Sequence, residues 1–221
     1  PTLTVTSTAL GNEICEGDTP TFFANASIAG ATYEFSVNSV AYQNSTSQTF
    51  DPAAYSLVIG NGDIIEVTAS TGVASCSSAV ASLTIQTNAI TTVGTITIAT
   101  PTVCLNDTIP AMTGGAGVAS GTVSYQWQRR NQTTTVFTDI VGATSQNYTP
   151  TVGTLLTTDT FFRRMTISST GTTTCEQEGN TISVLVDNPP AAILTANVNG
   201  VVLTAAATAT VCSGEEVAFY A

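Results

Sequence analysis

Ile14-Cys15-Glu16-Gly17-Asp18 decides how this chain is read, because it returns as Val103-Cys104-Leu105-Asn106-Asp107 and again as Val211-Cys212-Ser213-Gly214-Glu215. Each copy is an apolar residue, a cysteine, a short polar turn with an acid three residues after the cysteine, and then a β-prone run. The copies start 89 and 108 residues apart. That is the length of one small β-sandwich, so the chain divides into tandem modules at 1–87 and 88–190, with the first strands of a truncated third at 191–221. The chain opens on Pro1 and closes inside a strand-like run, Phe219-Tyr220-Ala221, which suggests a piece of a longer polypeptide.

Working outward from the repeat, the flanking segments alternate with period two. Leu3 and Val5 alternate with Thr2, Thr4 and Thr6. Tyr33, Phe35 and Val37 share one face and Thr32, Glu34 and Ser36 the other. Module two repeats the order with Val123, Tyr125 and Trp127 against Ser124, Gln126 and Gln128. Ile65, Val67 and Ala69 in module one, and Ile182, Val184 and Val186 in module two, mark later strands. Asn61-Gly62-Asp63 is a turn, and Asp187-Asn188-Pro189-Pro190 reads as a stiff linker. Thr, Ser and Ala dominate, and the charged residues that long helices need are scarce at 9%. Regularly spaced short strands with turn residues between them predict an all-β protein of tandem sandwiches. A central aromatic on the third strand and one disulfide per module point to the immunoglobulin-like class.

The five cysteines fit that scheme as Cys15–Cys76 and Cys104–Cys175, each a clasp near one end of its own sandwich, with the partner of Cys212 outside the chain. Such pairing implies an oxidising, extracellular setting. Zinc is disfavoured, since the chain has no histidine and no Cys-x-x-Cys pair.

The net charge is −11, and the only cations are Arg129, Arg130, Arg163 and Arg164. So acidic a chain is not built to hold phosphate backbones or anionic lipid, which excludes nucleic acid as a partner. No apolar run is long enough for a membrane span.

The string Tyr125-Gln126-Trp127-Gln128, Ile140-Val141-Gly142-Ala143-Thr144, Tyr148-Thr149-Pro150, Thr160-Phe161-Phe162-Arg163-Arg164, Cys175 and Asn180 resembles the immunoglobulin-like repeats of Bacteroidetes surface proteins. Module one, with Tyr33 to Asn38 and Asn61 to Val67, looks like a sister repeat type. Mixed arrays of this kind resemble the giant SprB-type gliding-motility adhesins. The resemblance implies a long filament on the cell surface, exported by the type IX secretion system, moved by the gliding machinery and gripping a surface polysaccharide or other substratum. A different reading is a spacer or a carbohydrate-binding module in a type IX-secreted polysaccharide hydrolase.

Chemistry is sparse. Without His or Lys, triads and most metal sites fall away, and the chain is not expected to be an enzyme. Paired carboxylates remain at Glu13, Glu16 and Asp18 and at Glu176 and Glu178, all beside cysteines. No cofactor is expected beyond calcium, for which Glu16, Asp18, Asn61 and Asp63 are the oxygen donors; turn formation explains the same residues. The four arginines could form a glycan-gripping patch or stack on aromatic rings, and Tyr42 and Tyr55 could stack on sugars or pack. Asp107-Thr108-Ile109 resembles a Bacteroidetes O-glycosylation acceptor, with Thr108 modified.

Overall fold

A computed structural model describes residues 2–26, 30–71, 79–151 and 155–187, together with strands at 195–198, 201–203 and 217–220. Cys76, Cys212 and the prolines of the linker lie outside the described residues.

Module one contains β1 (Leu3–Ser7), β2 (Glu13–Cys15), β3 (Phe22–Ala26), β4 (Thr32–Val37), β5 (Val40–Ser45), β6 (Thr49–Phe50), β7 (Ile64–Ser70), β8 (Ala79–Thr84) and β9 (Gln86–Asn88). One sheet has the order β1-β3-β6 and the other β5-β4-β7-β8, and β2 pairs parallel with β9. The alternation in the sequence decides which face is inward. Tyr33, Phe35 and Val37 meet Phe22, Ala24, Phe50, Ile65 and Val67 in one apolar core. Phe35 and Phe50 stack at 5.4 Å, with Phe22 and Phe50 at 6.2 Å. Burying one such side chain is worth roughly 1.5–3 kcal/mol.

Module two follows with β10 (Ile90–Thr92), β11 (Ile96–Ile98), β12 (Thr102–Cys104), β13 (Met112–Gly114), β14 (Val118–Ala119), β15 (Thr122–Asn131), β16 (Thr138–Asp139), β17 (Thr160–Ser169) and β18 (Thr174–Asp187). Its main sheet runs β12-β18-β17-β15-β16, faced by the small pairs β11-β13 and β10-β14. β12 pairs parallel with β18 as β2 does with β9. Trp127 is fully buried and lies 5.7 Å from Tyr148, whose ring lies 6.3 Å from Phe162. The tryptophan shares its buried core with Tyr148, Phe162, Met112 and aliphatic side chains. Its indole N–H donates to the Ser145 carbonyl at 2.9 Å. Tyr148-Thr149-Pro150 matches Phe50-Asp51-Pro52: each aromatic lies against the central ring of its module, stacked in module one and tilted in module two. Farther on, β19 (Thr195–Val198) pairs with β20 (Val201–Leu203) and with β21 (Val217–Tyr220). The protein is all-β, built of immunoglobulin-like sandwiches.

One expectation fails locally. By order along the chain Cys175 would sit in the loop after the penultimate strand, yet β17 and β18 continue as a long hairpin that closes at Thr170–Thr173 around Gly171, whose φ is 99°. Threonine is a good strand residue, and a glycine at positive φ lets the turn be tight. Cys175 is thus in a strand, opposite Ser168.

Candidate functional site

Cys15 and Cys175 do not close their own modules. Cys15 bonds Cys175, a separation of 160 residues, with the two Cα atoms 5.6 Å apart. This overturns the expected Cys104–Cys175 clasp and leaves Cys104 a free, exposed thiol. It also takes the Cys15 sulfur that was assigned to Cys76. The reason lies in strand direction. Parallel pairing aligns Cys15 with Asn88, so Cys15 sits where the chain leaves module one. The hairpin of module two carries Cys175 to that same place.

The turn that presents Cys15 is held by its own acid. The Asp18 carboxylate accepts from the Cys15 backbone N–H at 3.1 Å, and the Asp18 N–H donates to the Cys15 carbonyl at 3.1 Å. Gly17 between them has φ 89°.

Polar contacts surround the bond. The Glu13 carboxylate accepts from the Thr170 hydroxyl at 2.6 Å and from the Thr172 hydroxyl. These two bonds hold the Glu13 carboxyl below its ordinary pKa, Thr170 contributing most, because hydrogen bonds to the ionised form favour it. The Thr173 hydroxyl donates to the Glu13 carbonyl at 3.2 Å. Asn88, buried at 1% exposure, donates from its amide to the carbonyls of Ser168 at 3.0 Å and Thr173 at 3.3 Å, and accepts from the Ser168 hydroxyl. Gly11 holds φ 63°, a conformation that favours glycine, and passes beside Thr172. An open groove of about 700 Å³ runs alongside, lined by Gly11, Glu13, Asn61, Thr170 and Thr172 among others. Sequence reasoning weighed Glu13 only as an acid beside a cysteine and missed Asn88 altogether. No local signal marks either one, because their partners lie about 80 to 160 residues away.

The four arginines divide. Arg164 is 1% exposed and cannot join a surface patch. Its guanidinium donates to the carbonyls of Gln146 (2.7 Å), Val93 (2.9 Å), Gly94 (3.2 Å) and Gly115 (2.7 Å), and lies 4.1 Å from the Tyr125 ring centroid. Burial pulls its pKa down from the usual arginine value. Two glycines give it space: a Cβ at Gly114 or Gly94 would collide with its terminal nitrogens. Arg130 and Arg163 instead lie on the outer face. Arg163 sits 4.3 Å from the Phe137 centroid, pairs with Glu178 and donates to Gln128 at 2.7 Å. Arg130 sits 4.1 Å from the Phe161 centroid and 5.2 Å from that of Phe137. Arg129 is exposed and, with Arg130, lines an open groove of about 680 Å³ that reaches Val136 and Leu155.

The other candidates stay separate. Asp63 accepts from the Asn38 amide at 2.8 Å and the Gly60 N–H at 2.8 Å, which closes its turn, and Asn61 accepts from the Thr87 N–H at 3.1 Å, which ties that turn to β9. Glu16 borders a groove beside the disulfide. Among the described residues no group of three or more Cys, Asp or Glu is placed to hold a metal ion. Tyr42 packs 6.4 Å from Phe50 and 6.2 Å from the more exposed Tyr55. Thr108 is exposed, with its backbone N–H on the Asp107 carboxylate at 2.7 Å. Among the described residues no helix is long and apolar enough to cross a membrane.

Residues 92–188 match a family model described as a domain of unknown function (DUF8696). No curated protein sequence matches the chain. Similar solved structures include domains A168–A170 of titin, at 10% identity and a TM-score of 0.42, covering 84% of this chain and 66% of that one. A calcium-stabilised adhesin that helps an Antarctic bacterium reach out and bind ice is similar at 14% identity and a TM-score of 0.45, covering 100% of this chain and 65% of that one. Murine CEACAM1b is similar at 10% identity and a TM-score of 0.36, covering 85% of this chain and all of that one. The chain thus spans just under two thirds of the titin and adhesin structures.

Proposed function

We propose that the chain is a load-bearing repeat segment of an extracellular adhesive filament. The observation that supports this reading is the Cys15–Cys175 bond, which ties one module's exit to the next module's closing hairpin. Such a bond adds nothing to catalysis. It does carry tension past the folded modules. Parallel pairing of β2 with β9 and of β12 with β18 suits the same role, because a pull along the strands loads those bonds together instead of opening them in turn. The sequence resemblance to Bacteroidetes surface repeats supports a place on the cell surface, export by type IX secretion and a part in gliding over a polysaccharide substratum.

Single-molecule pulling tests the mechanical claim. With the bond intact, the 160 residues between the sulfurs do not add to the stretched length, about 540 Å at full extension. Reductant should release that length. Equal extension with and without reductant overturns the reading.

A second reading has one observation in its favour. The outer face of module two alternates Arg163, Phe137, Arg130 and Phe161, a surface suited to a sugar with acidic groups. Retention of the chain on a sulfated or carboxylated agar column, lost in Arg130→Ala, supports it; passage straight through the column removes it.

A further inference from the structure

The turn Gly60-Asn61-Gly62-Asp63 places an asparagine directly before a glycine. Such a pair can rearrange its own covalent structure, because glycine has no side chain to hinder the approach of its nitrogen. The Gly62 nitrogen gives up its proton and attacks the side-chain carbonyl carbon of Asn61. A new N–C bond closes a five-membered succinimide, the bond to the amide nitrogen breaks, and ammonia leaves with the proton that balances it. Water then opens the ring at either carbonyl. The products are an aspartate or an isoaspartate, whose main chain runs through the side-chain methylene. Water is the only co-reactant.

The fold needs this reactive pair and also restrains it. Gly62 holds φ 87°, where a side chain would be strained. Sterics do not shield the pair: both residues are exposed, and a Cβ at Gly62 would meet nothing within 4 Å. Hydrogen bonds do. The Gly62 N–H, the nucleophile, donates to the Ile85 carbonyl at 2.8 Å. The Asn61 Oδ1 accepts from the Thr87 N–H at 3.1 Å. One stretch, 85–87, therefore occupies both groups that must meet. That stretch runs into β9, which pairs with β2, and Asn88 carries β9 into the hairpin of module two. Asn61 also shares its groove with Glu13, Thr170 and Thr172.

We propose that Asn61–Gly62 is a latent modification site, closed while β9 is seated and converted spontaneously when β9 lifts from the turn. Isoaspartate lengthens the main chain by one atom, so the Thr87 N–H and the Ile85 carbonyl no longer find their partners in register. Opening at the exit of module one thus leaves a covalent mark and loosens the same place. The inference does not depend on what the chain grips.

The test holds the folded chain and a synthetic peptide of residues 58–66 side by side in warm, mildly alkaline buffer without reductant. Conversion is followed by peptide mass and fragmentation, which separates Asn61 from Asn199-Gly200, the other Asn-Gly pair of the sequence. The folded chain should convert at least about tenfold more slowly than the peptide, since two hydrogen bonds must break together. In rising urea, short of global unfolding, conversion should climb in step with hydrogen exchange of the Gly62 amide, because one opening releases both. Chains purified with isoaspartate at this position should exchange the Thr87 amide faster than unconverted chains. Equal rates for chain and peptide, conversion that stays flat while the Gly62 amide loses protection, or an unchanged Thr87 amide after conversion each overturn the inference. None of these outcomes bears on the pulling experiment, which reads the Cys15–Cys175 bond.

Discussion

The two modules solve the same packing problem with opposite chemistry. In module one the central pair across β4 and β7 is Phe35 opposite Val67, followed by Tyr33 opposite Ala69. In module two the corresponding pairs across β15 and β17 are Trp127 opposite Arg164 and Tyr125 opposite Thr166. The inward face of β17 continues with Ser168, and all three of these polar residues are buried. They serve a directional purpose. Arg164 and Thr166 bind the Val93 carbonyl, at 2.9 and 2.7 Å, and Ser168 binds Asn88. Apolar packing tolerates sliding, whereas a hydrogen bond to one named carbonyl does not. The polar seam pins the strand that arrives from module one in one register. The difference teaches that module two is built to receive a neighbour.

The largest break in that contrast comes from Arg164. Arg164→Leu keeps much of the bulk but removes the guanidinium from the carbonyls of Gln146, Gly94 and Gly115 and leaves that of Val93 with Thr166 alone, so module two should lose about 3–5 kcal/mol. Module one, which shares no partner with Arg164, should unfold at its usual denaturant concentration. Two-transition chemical unfolding measures both. A module-two midpoint within error of the unsubstituted chain would mean that the buried guanidinium contributes nothing.

Asn88 comes next. Asn88→Ala removes the acceptor of the Ser168 hydroxyl and one donor from each of two carbonyls, while Gly121 still donates to that hydroxyl and Thr170 to the Thr173 carbonyl, for a loss of about 1–3 kcal/mol. The effect should fall on the coupling between modules. A double-mutant cycle of Asn88→Ala with Ser168→Ala should give a coupling of about 0.5–3 kcal/mol, and additive losses would place Asn88 outside the seam.

How far the amino-acid sequence carries this account depends on range. The sandwiches could be read from it, because strand alternation is local: Phe35, Val67 and Trp127 face inward as their spacing requires. Cysteine pairing could not. Position along the chain favoured partners within one module, but the choice is made by which end of a sheet each cysteine occupies, and that follows from the parallel β2–β9 register. Arg164 misled for a related reason. Its place in the alternation already pointed inward beside Trp127, and its neighbour Arg163 pointed outward. Charge suggested surface, while the loop carbonyls that satisfy it come from three distant segments around Val93, Gly115 and Gln146.

The smallest effect sharpens the comparison at the exposed rim of the junction. Glu13 faces Thr170 and Thr172 as a carboxylate, and its folded pKa is depressed by those two bonds. A depressed carboxylate adds stability that is full above its unfolded pKa and lost as pH falls through the lower folded value. The junction should therefore be constant from neutral pH down to the ordinary carboxylate range and loosen in more acidic solution. The disulfide would mask this, so the measurement belongs in Cys15→Ser, read as hydrogen exchange of the Thr170 and Thr172 amides. Other acids, Glu16, Asp18 and Glu176, lie near the cysteines. Glu13→Gln separates them: it should speed exchange modestly at neutral pH and flatten the acid-side change. Because the bonds join a carboxylate to neutral hydroxyls, added salt should leave the profile in place, whereas a profile that collapses in salt would assign the effect to charge repulsion and not to Glu13.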